Sequence, residues 1–171
     1  VFLLITGNMD IETIMQEIDA YFLNAKESIA VAESVTSGYL QLYFSQMENA
    51  SGFYYGGITA YNLKQKIKWL KVNPAEGKRT NCVSQGIAET MTLQTHQLFQ
   101  SDWAMAVTGY ATPVPESGYA LYAYYAISYK RSLLLSDRID VMAGGDACVV
   151  QRDYSQHLLK ALLTCVLQKS G

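Results

Sequence analysis

The stretch Ile29-Ala30-Val31-Ala32-Glu33-Ser34-Val35-Thr36-Ser37-Gly38 constrains the fold more than any other in the chain. An apolar run enters it, small hydroxylated residues and a glycine follow, and an apolar-periodic segment leaves over residues 39–44. A buried strand reads this way when it delivers a serine to a sharp turn at the start of a helix. Two roles stay open for that serine. Free N–H groups and the positive helix end favour developing negative charge, which suits Ser34 as a nucleophile. The same geometry suits Ser34 or Thr36 as a cap that satisfies orphan backbone donors.

The flanking pattern alternates strands with helices. Ile11, Ile14, Met15, Ile18, Tyr21, Phe22 and Ala25 recur at helical spacing behind Asp10, which predicts a helix over residues 10–26. A strand follows over 28–33 and a helix over 37–46. An aromatic-rich strand over 53–61 contains Gly56-Gly57, the mark of a bulge or of a close approach to the backbone. Asn62 caps a helix over 63–71, which Asn73-Pro74 stops, and the polar residues 75–81 read as a loop. Ser84 opens another helix, with Ile87, Ala88, Met91, Leu98 and Phe99 as its buried stripe. Residues 103–107 form a continuous apolar run, expected of a central strand. After a loop over 108–118, two strands over 119–129 and 133–143 pair with each other. Gly144-Gly145-Asp146 makes a turn, and a last helix covers 147–168. With no repeat and no linker, residues 1–171 read as one α/β domain with a mixed sheet, residues 1–9 being a peripheral arm.

Composition narrows the function classes. Half of the residues are hydrophobic and 16% are charged, which describes a chain with a packed core. A formal charge of −2 gives no basic footprint for nucleic acid. The apolar opening Val1-Phe2-Leu3-Leu4-Ile5 is too short to span a membrane and lacks the flanks of a signal peptide. Cys82, Cys148 and Cys165 form no Cys-x-x-Cys pair, so they read as buried free thiols in a reducing cytoplasm, without a metal. His96 and His157 lie in helices with no carboxylate at a helpful spacing, which leaves a Ser-His-Asp triad without support. What remains is a serine activated by lysine. Lys66 falls about one turn into its helix, where the dipole and the neighbouring Lys64 and Lys68 disfavour an ammonium ion. Tyr61 ends the preceding strand, placed to orient Lys66 or relay a proton. A solvated lysine face and a packing tyrosine account for the same spacing equally well.

Several stretches, taken in order, carry the motifs of one known family. Ala32-Glu33-Ser34-Val35-Thr36-Ser37-Gly38 is similar to the signature AESCTGG. The segment from Gly57 to Lys66 resembles G-[FV]-V-x-Y-[SN]-x-x-x-K, with the spacing from Tyr61 to Lys66 kept. Cys82-Val83-Ser84-Gln85-Gly86-Ile87-Ala88 resembles A-V-S-x-x-V-A, and Thr108-Gly109-Tyr110-Ala111-Thr112-Pro113 resembles the S/T-G-I-A-G-P loop. In this order the motifs resemble the CinA C-terminal domain family, which includes nicotinamide-nucleotide amidohydrolases, and the resemblance implies a three-layer α/β/α sandwich with a mixed, mainly parallel five-stranded sheet. It also implies hydrolysis of the carboxamide of nicotinamide mononucleotide to nicotinate mononucleotide and ammonia. Ser34 would be the nucleophile, and Lys66 the base, assisted by Tyr61. Glu33, Thr36, Gly38, Thr108, Gly109 and Ala111 would bind a pyridine nucleotide amide. No cofactor and no metal are implied, and a homodimer is.

The chain departs from the family pattern at several places, and Val114-Pro115-Glu116-Ser117 replaces the Gly-Gly that follows the loop proline. Ser37 replaces a signature glycine, where a Cβ would crowd a ligand. Thr112 replaces the glycine before the loop proline. Ala147 stands where the family's G-D-R segment has an arginine suited to phosphate, leaving Arg138 or Arg152 as substitutes. Two expectations follow: an amidohydrolase with a Ser34/Tyr61/Lys66 site, or a diverged ligand-binding or interaction protein without deamidase activity.

Overall fold

The computed structural model describes residues 9–142 and 146–170. The expected arm therefore lies outside the described residues except for Met9, which packs against the core, and so does the turn at Gly144-Gly145. Among the described residues six α-helices and five strands follow in the order α1 (Ile11–Ala25), β1 (Ile29–Glu33), α2 (Tyr39–Ser45), β2 (Tyr54–Thr59), α3 (Leu63–Leu70), α4 (Pro74–Arg79), α5 (Gln85–Phe99), β3 (Trp103–Gly109), β4 (Leu121–Tyr129), β5 (Ser132–Val141) and α6 (Ala147–Ser170).

The strands form one sheet in the order β2-β1-β3-β4-β5. The pairs β1·β2 and β1·β3 are parallel, whereas β3·β4 and β4·β5 are antiparallel. The mixed five-stranded sheet is as expected, but its pairings divide evenly instead of leaning parallel. The reason is local. Residues 130–131 form a two-residue hairpin with both φ angles positive, so β5 returns beside β4 without a crossover helix.

Helices cover both faces. The larger core packs α1, α2 and α6 against the sheet through Ile14, Phe22, Phe44, Tyr154, Leu158 and Leu162. The opposite face carries a smaller cluster around Leu70, Ile87 and Met91 from α3 and α5. A cluster of polar contacts ties the edge of the larger core together. The Glu27 carboxylate accepts hydrogen bonds from Trp103 Nε1 (2.7 Å), the Tyr129 hydroxyl (2.7 Å), the Tyr21 hydroxyl (2.9 Å) and Lys169 Nζ (3.1 Å). Burial alone would raise its pKa, but these donors outweigh it and hold the carboxyl down at about 2.

Two local expectations need correction. Residues 75–81 are not a loop: Pro74–Arg79 is a short helix, its Asn73 side chain accepting from the N–H groups of Ala75 and Glu76. Asn-Pro starts a helix as readily as it stops one, since proline suits the first helical position. In α5, Leu98 is exposed, and Thr92 and Thr95 take the expected apolar places by returning their hydroxyls to the Ala88 and Met91 carbonyls. The paired glycines behave as expected. Ile29 pairs with Tyr54 and Ala30 with Gly56, so Tyr55 is the extra residue of a bulge. A Cβ on Gly57 would lie 2.7 Å from Val31 and Gln41 side-chain atoms, so the close approach there is by α2 and β1.

Neither histidine joins a site. His96 is buried, its Nδ1–H donates to the Ser101 carbonyl at 2.8 Å, and its Nε2 meets no partner. Burial holds its pKa below the ordinary value, against the pull of the Ser101 carbonyl. The unfolded chain therefore takes up a proton that the native state refuses, and stability falls as pH drops through the ordinary histidine value of about 6.5. The urea midpoint is expected to decrease between pH 7.5 and 5.5, and the His96→Asn variant to show a shallower decrease. A midpoint equally steep in that variant would refute the assignment.

Candidate active site

Ser34 sits one residue beyond β1, the strand flanked by both parallel neighbours. Its N–H donates to the Val107 carbonyl at 3.1 Å, which extends the β1·β3 ladder up to the serine itself. The next residues turn sharply. Ser37 adopts φ +51° and Gly38 φ +109°, and α2 begins at Tyr39. The second of these angles is one that a residue with a side chain rarely adopts. Nothing on Gly38 caps the helix. Glu33 does so instead: it is fully buried, and its carboxylate accepts from the N–H groups of Gly38 (3.0 Å), Leu40 (3.1 Å) and Gln41 (2.9 Å) and from the Thr36 hydroxyl. A carboxylate on the orphan donors of a helix start satisfies both hydrogen bonding and the macrodipole.

Three residues expected beside a ligand take their place in the turn. Glu33, Thr36 and Gly38 do not line the cavity over Ser34; they build the turn beneath it. Ser37 is likewise exposed and away from the cavity, so its Cβ crowds no ligand there. The left-handed backbone, not ligand clearance, accounts for a glycine at that position in the signature.

Lys66 reaches Ser34 from α3. Asn62 caps that helix through a hydrogen bond from Gln65 N–H to its side chain (3.0 Å), which sets the helix so that Lys66 points inward. The lysine is 1% exposed, and its Nζ lies 2.7 Å from Ser34 Oγ and 3.0 Å from the Tyr61 carbonyl. Burial pulls its pKa down to about 8, with the Cys82 thiol group acting in the opposite direction. Desolvation is therefore the cause, rather than repulsion from Lys64 and Lys68, which are exposed. Tyr61 meets Lys66 through its backbone. Its carbonyl holds Lys66, while its side chain is 69% exposed at the cavity edge and its hydroxyl has no hydrogen-bond partner among the described residues.

The two meet at the floor of a cavity of about 660 Å³. Thr108, Gly109 and Ala111 line it. Thr108 spends its hydroxyl on the Cys82 carbonyl (2.7 Å), and Gly109 is required by β4, since a Cβ would fall 2.5 Å from the Tyr122 carbonyl oxygen. Val35 also lines the cavity, and its N–H meets no acceptor among the described residues. Spacing gave no hint of Cys82, Asn81, Lys78, Tyr110 or Gln151, all of which contribute walls. Asn81 and Cys82 are consecutive residues at positive φ (51° and 62°), a bend that only the folded backbone reveals. Gln151 of α6 donates its Nε2–H to the Val35 carbonyl at 2.9 Å, tying the last helix to the serine turn. Cys148 is exposed, not buried, with its Sγ 2.6 Å from the Tyr39 hydroxyl, and only Cys82 and Cys165 fit the expectation of buried thiols. Among the described residues no cluster of histidine, cysteine and carboxylates has the form of a metal site, and no helix is long and apolar enough to cross a membrane.

Against known proteins, the family model of the CinA C-terminal domain matches residues 11–166. The chain belongs to that family. Among curated relatives, a CinA-like protein of Picosynechococcus sp. is 40% identical over 88 residues, 52% of this chain and 21% of its own length. A CinA-like protein of Synechocystis sp. is 36% identical over 104 residues, 61% of this chain and 25% of its own. The match thus spans about a quarter of those relatives or less. The fold matches the competence-damaged protein (CinA) superfamily protein from Enterobacter cloacae with a TM-score of 0.86 at 24% identity, covering 93% of this chain and 94% of that one. It also matches the competence damage-inducible protein A from Klebsiella pneumoniae, with a TM-score of 0.84 at 22% identity, covering 91% and 96%.

The Glu33 cap makes a stability prediction distinct from chemistry. Glu33→Gln keeps the shape but replaces an acceptor-only anion, and is expected to cost about 1–3 kcal/mol in urea unfolding. Glu33→Ala is expected to cost more, because it leaves buried N–H groups of α2 unpaired. No loss in either variant would show that the cap is dispensable.

Proposed function

We propose that this domain is a serine–lysine amide hydrolase acting on the carboxamide of a nicotinamide nucleotide. The observation that carries the reading is the 2.7 Å contact between Ser34 Oγ and Lys66 Nζ at the floor of an open cavity. With its pKa brought down to about 8, Lys66 has a workable fraction of free amine near neutral pH.

The neutral amine takes the Ser34 hydroxyl proton as Oγ attacks the carboxamide carbon. The Val35 N–H, directly after the nucleophile, is the backbone donor available to the oxyanion. Collapse of the tetrahedral intermediate breaks the C–N bond, and Lys66 returns its proton to the nitrogen so that ammonia leaves. An ester on Ser34 remains. Lys66, neutral again, takes a proton from water, whose oxygen attacks the ester, and the returning proton restores the serine hydroxyl. The Tyr61 carbonyl holds the amine toward Ser34 throughout, and its exposed ring, with that of Tyr110, gives a flat heteroaromatic group surfaces to pack on.

Purified protein is expected to release ammonia from nicotinamide mononucleotide. Ser34→Ala and Lys66→Met should each lower kcat by about 10³-fold or more. Tyr61→Phe should keep most activity, since its hydroxyl is free of the site. The rate should rise with pH through about 8, as Lys66 loses its proton. Absence of ammonia release from this substrate and from nicotinamide riboside would overturn the reading, and unchanged turnover in Ser34→Ala would overturn the mechanism.

A further inference from the structure

The cavity wall carries three charged side chains: Lys66, Lys78 and Glu116. Residues 1–8 and 143–145, which the structure does not describe, contain no charged side chain. Lys66 is committed to Ser34 and the Tyr61 carbonyl, and it works as a free amine. Lys78 differs in every respect. It lies in the last turn of α4, is exposed, and takes part in no ion pair among the described residues, where the pairs are Arg138–Asp140 and Lys169–Glu27.

The other cations near this end of the sheet are unsuited. Arg138 gives its guanidinium to both Asp140 oxygens and stacks over Tyr122 at 3.9 Å, and it does not line the cavity. Arg152 and Arg79 do not line it either. An anion entering over Ser34 therefore has one uncommitted cation to meet. The helix α6, whose first residue Ala147 borders the cavity, offers less than its dipole suggests, because the Asp146 carboxylate already accepts from Cys148 N–H at 2.8 Å.

We infer that Lys78 binds the anionic group of the substrate, a phosphomonoester at the end remote from the carboxamide, and so sets the preference for a nucleotide over its nucleoside. This rests on the amide-hydrolase reading above. The competing account is that Lys78 only complements the carbonyl end of α4, a role it would share with Arg79. A helix-end role does not distinguish one substrate from another, whereas a phosphate contact does.

The test compares nicotinamide mononucleotide with nicotinamide riboside, by turnover on the wild-type background and by calorimetric binding to Ser34→Ala protein. Lys78→Ala is expected to lower the preference for the mononucleotide by about three- to tenfold, through KM and not kcat. Lys78→Arg should restore the preference, and Arg79→Ala should keep it. The preference should also shrink with added salt. Equal effects of Lys78→Ala on both ligands, or none on either, would overturn the inference while leaving the hydrolase standing. Neither turnover nor binding of the mononucleotide would overturn both.

Discussion

The buried Glu33 carboxylate is the interaction on which the site rests. Helix α2 is seven residues long and has no side-chain cap of its own at Gly38. Left alone, its first N–H groups would be buried without acceptors, at a cost no helix of two turns repays from its own hydrogen bonds. Glu33 supplies those acceptors from the last residue of β1, and its backbone carbonyl accepts from Ala60 N–H at 2.9 Å, where β2 ends. One residue thus fixes the end of two strands and the start of a helix. Ser34 follows it directly and inherits that rigidity. A hydroxyl held from below by a charged anchor, and from α6 by the Gln151 contact to Val35, does not have to be ordered when a ligand arrives.

The partner of the serine is placed by a different economy. A lysine that is 1% exposed is among the least favourable side chains to bury unless it is neutral or paired, and here it faces a hydroxyl and a carbonyl but no carboxylate. The absence of an acidic neighbour keeps the amine available, because a carboxylate at the same distance would stabilise the ammonium form and raise the pKa. The wall opposite is held open by backbone rather than by side-chain bulk. The Asn81-Cys82 bend is locked where the Thr108 hydroxyl donates to the Cys82 carbonyl, and Cys82 N–H donates to the Gly77 carbonyl at 2.8 Å.

Much of this was legible in the chain before any coordinates. The serine turn, the Asn62-capped helix and the five-residue step from Tyr61 to Lys66 all follow from local patterns, and the structure brings Ser34 and Lys66 together across 32 positions. What was not legible concerns direction. Spacing says that Glu33 and Thr36 are near the serine, but not that they point beneath the turn instead of into the cavity. It likewise places Tyr61 beside Lys66 without distinguishing its carbonyl from its hydroxyl. Residues 75–81 defeated periodicity because a six-residue helix with a buried Gly77 against Leu63 has no apolar stripe to detect. Ser37 and Ala147 drew attention as departures from a family pattern, yet Ser37 lies outside the cavity, so departure from a motif is not itself evidence about ligand contact.

Burial of Lys66 also links stability to function. Its native pKa of about 8 lies below the ordinary lysine value of 10.5, so between those values the unfolded chain binds the extra proton. The native state gains stability as pH rises through that window, and lacks that gain at lower pH, where the buried amine must carry a charge. A structural role would favour a leucine or methionine at this position, which would fill the same space with no such penalty. The strain in the Asn81-Cys82 bend has the same sense, since two adjacent residues at positive φ cost energy that the rest of the wall must offset. Both costs converge on one cavity. At the edge of the larger core four donors hold Glu27, whereas the face that carries Ser34 retains a buried lysine whose pKa burial has lowered. Where a fold tolerates local penalties together, at the mouth of a cavity and around a hydroxyl, reactivity explains them better than packing does.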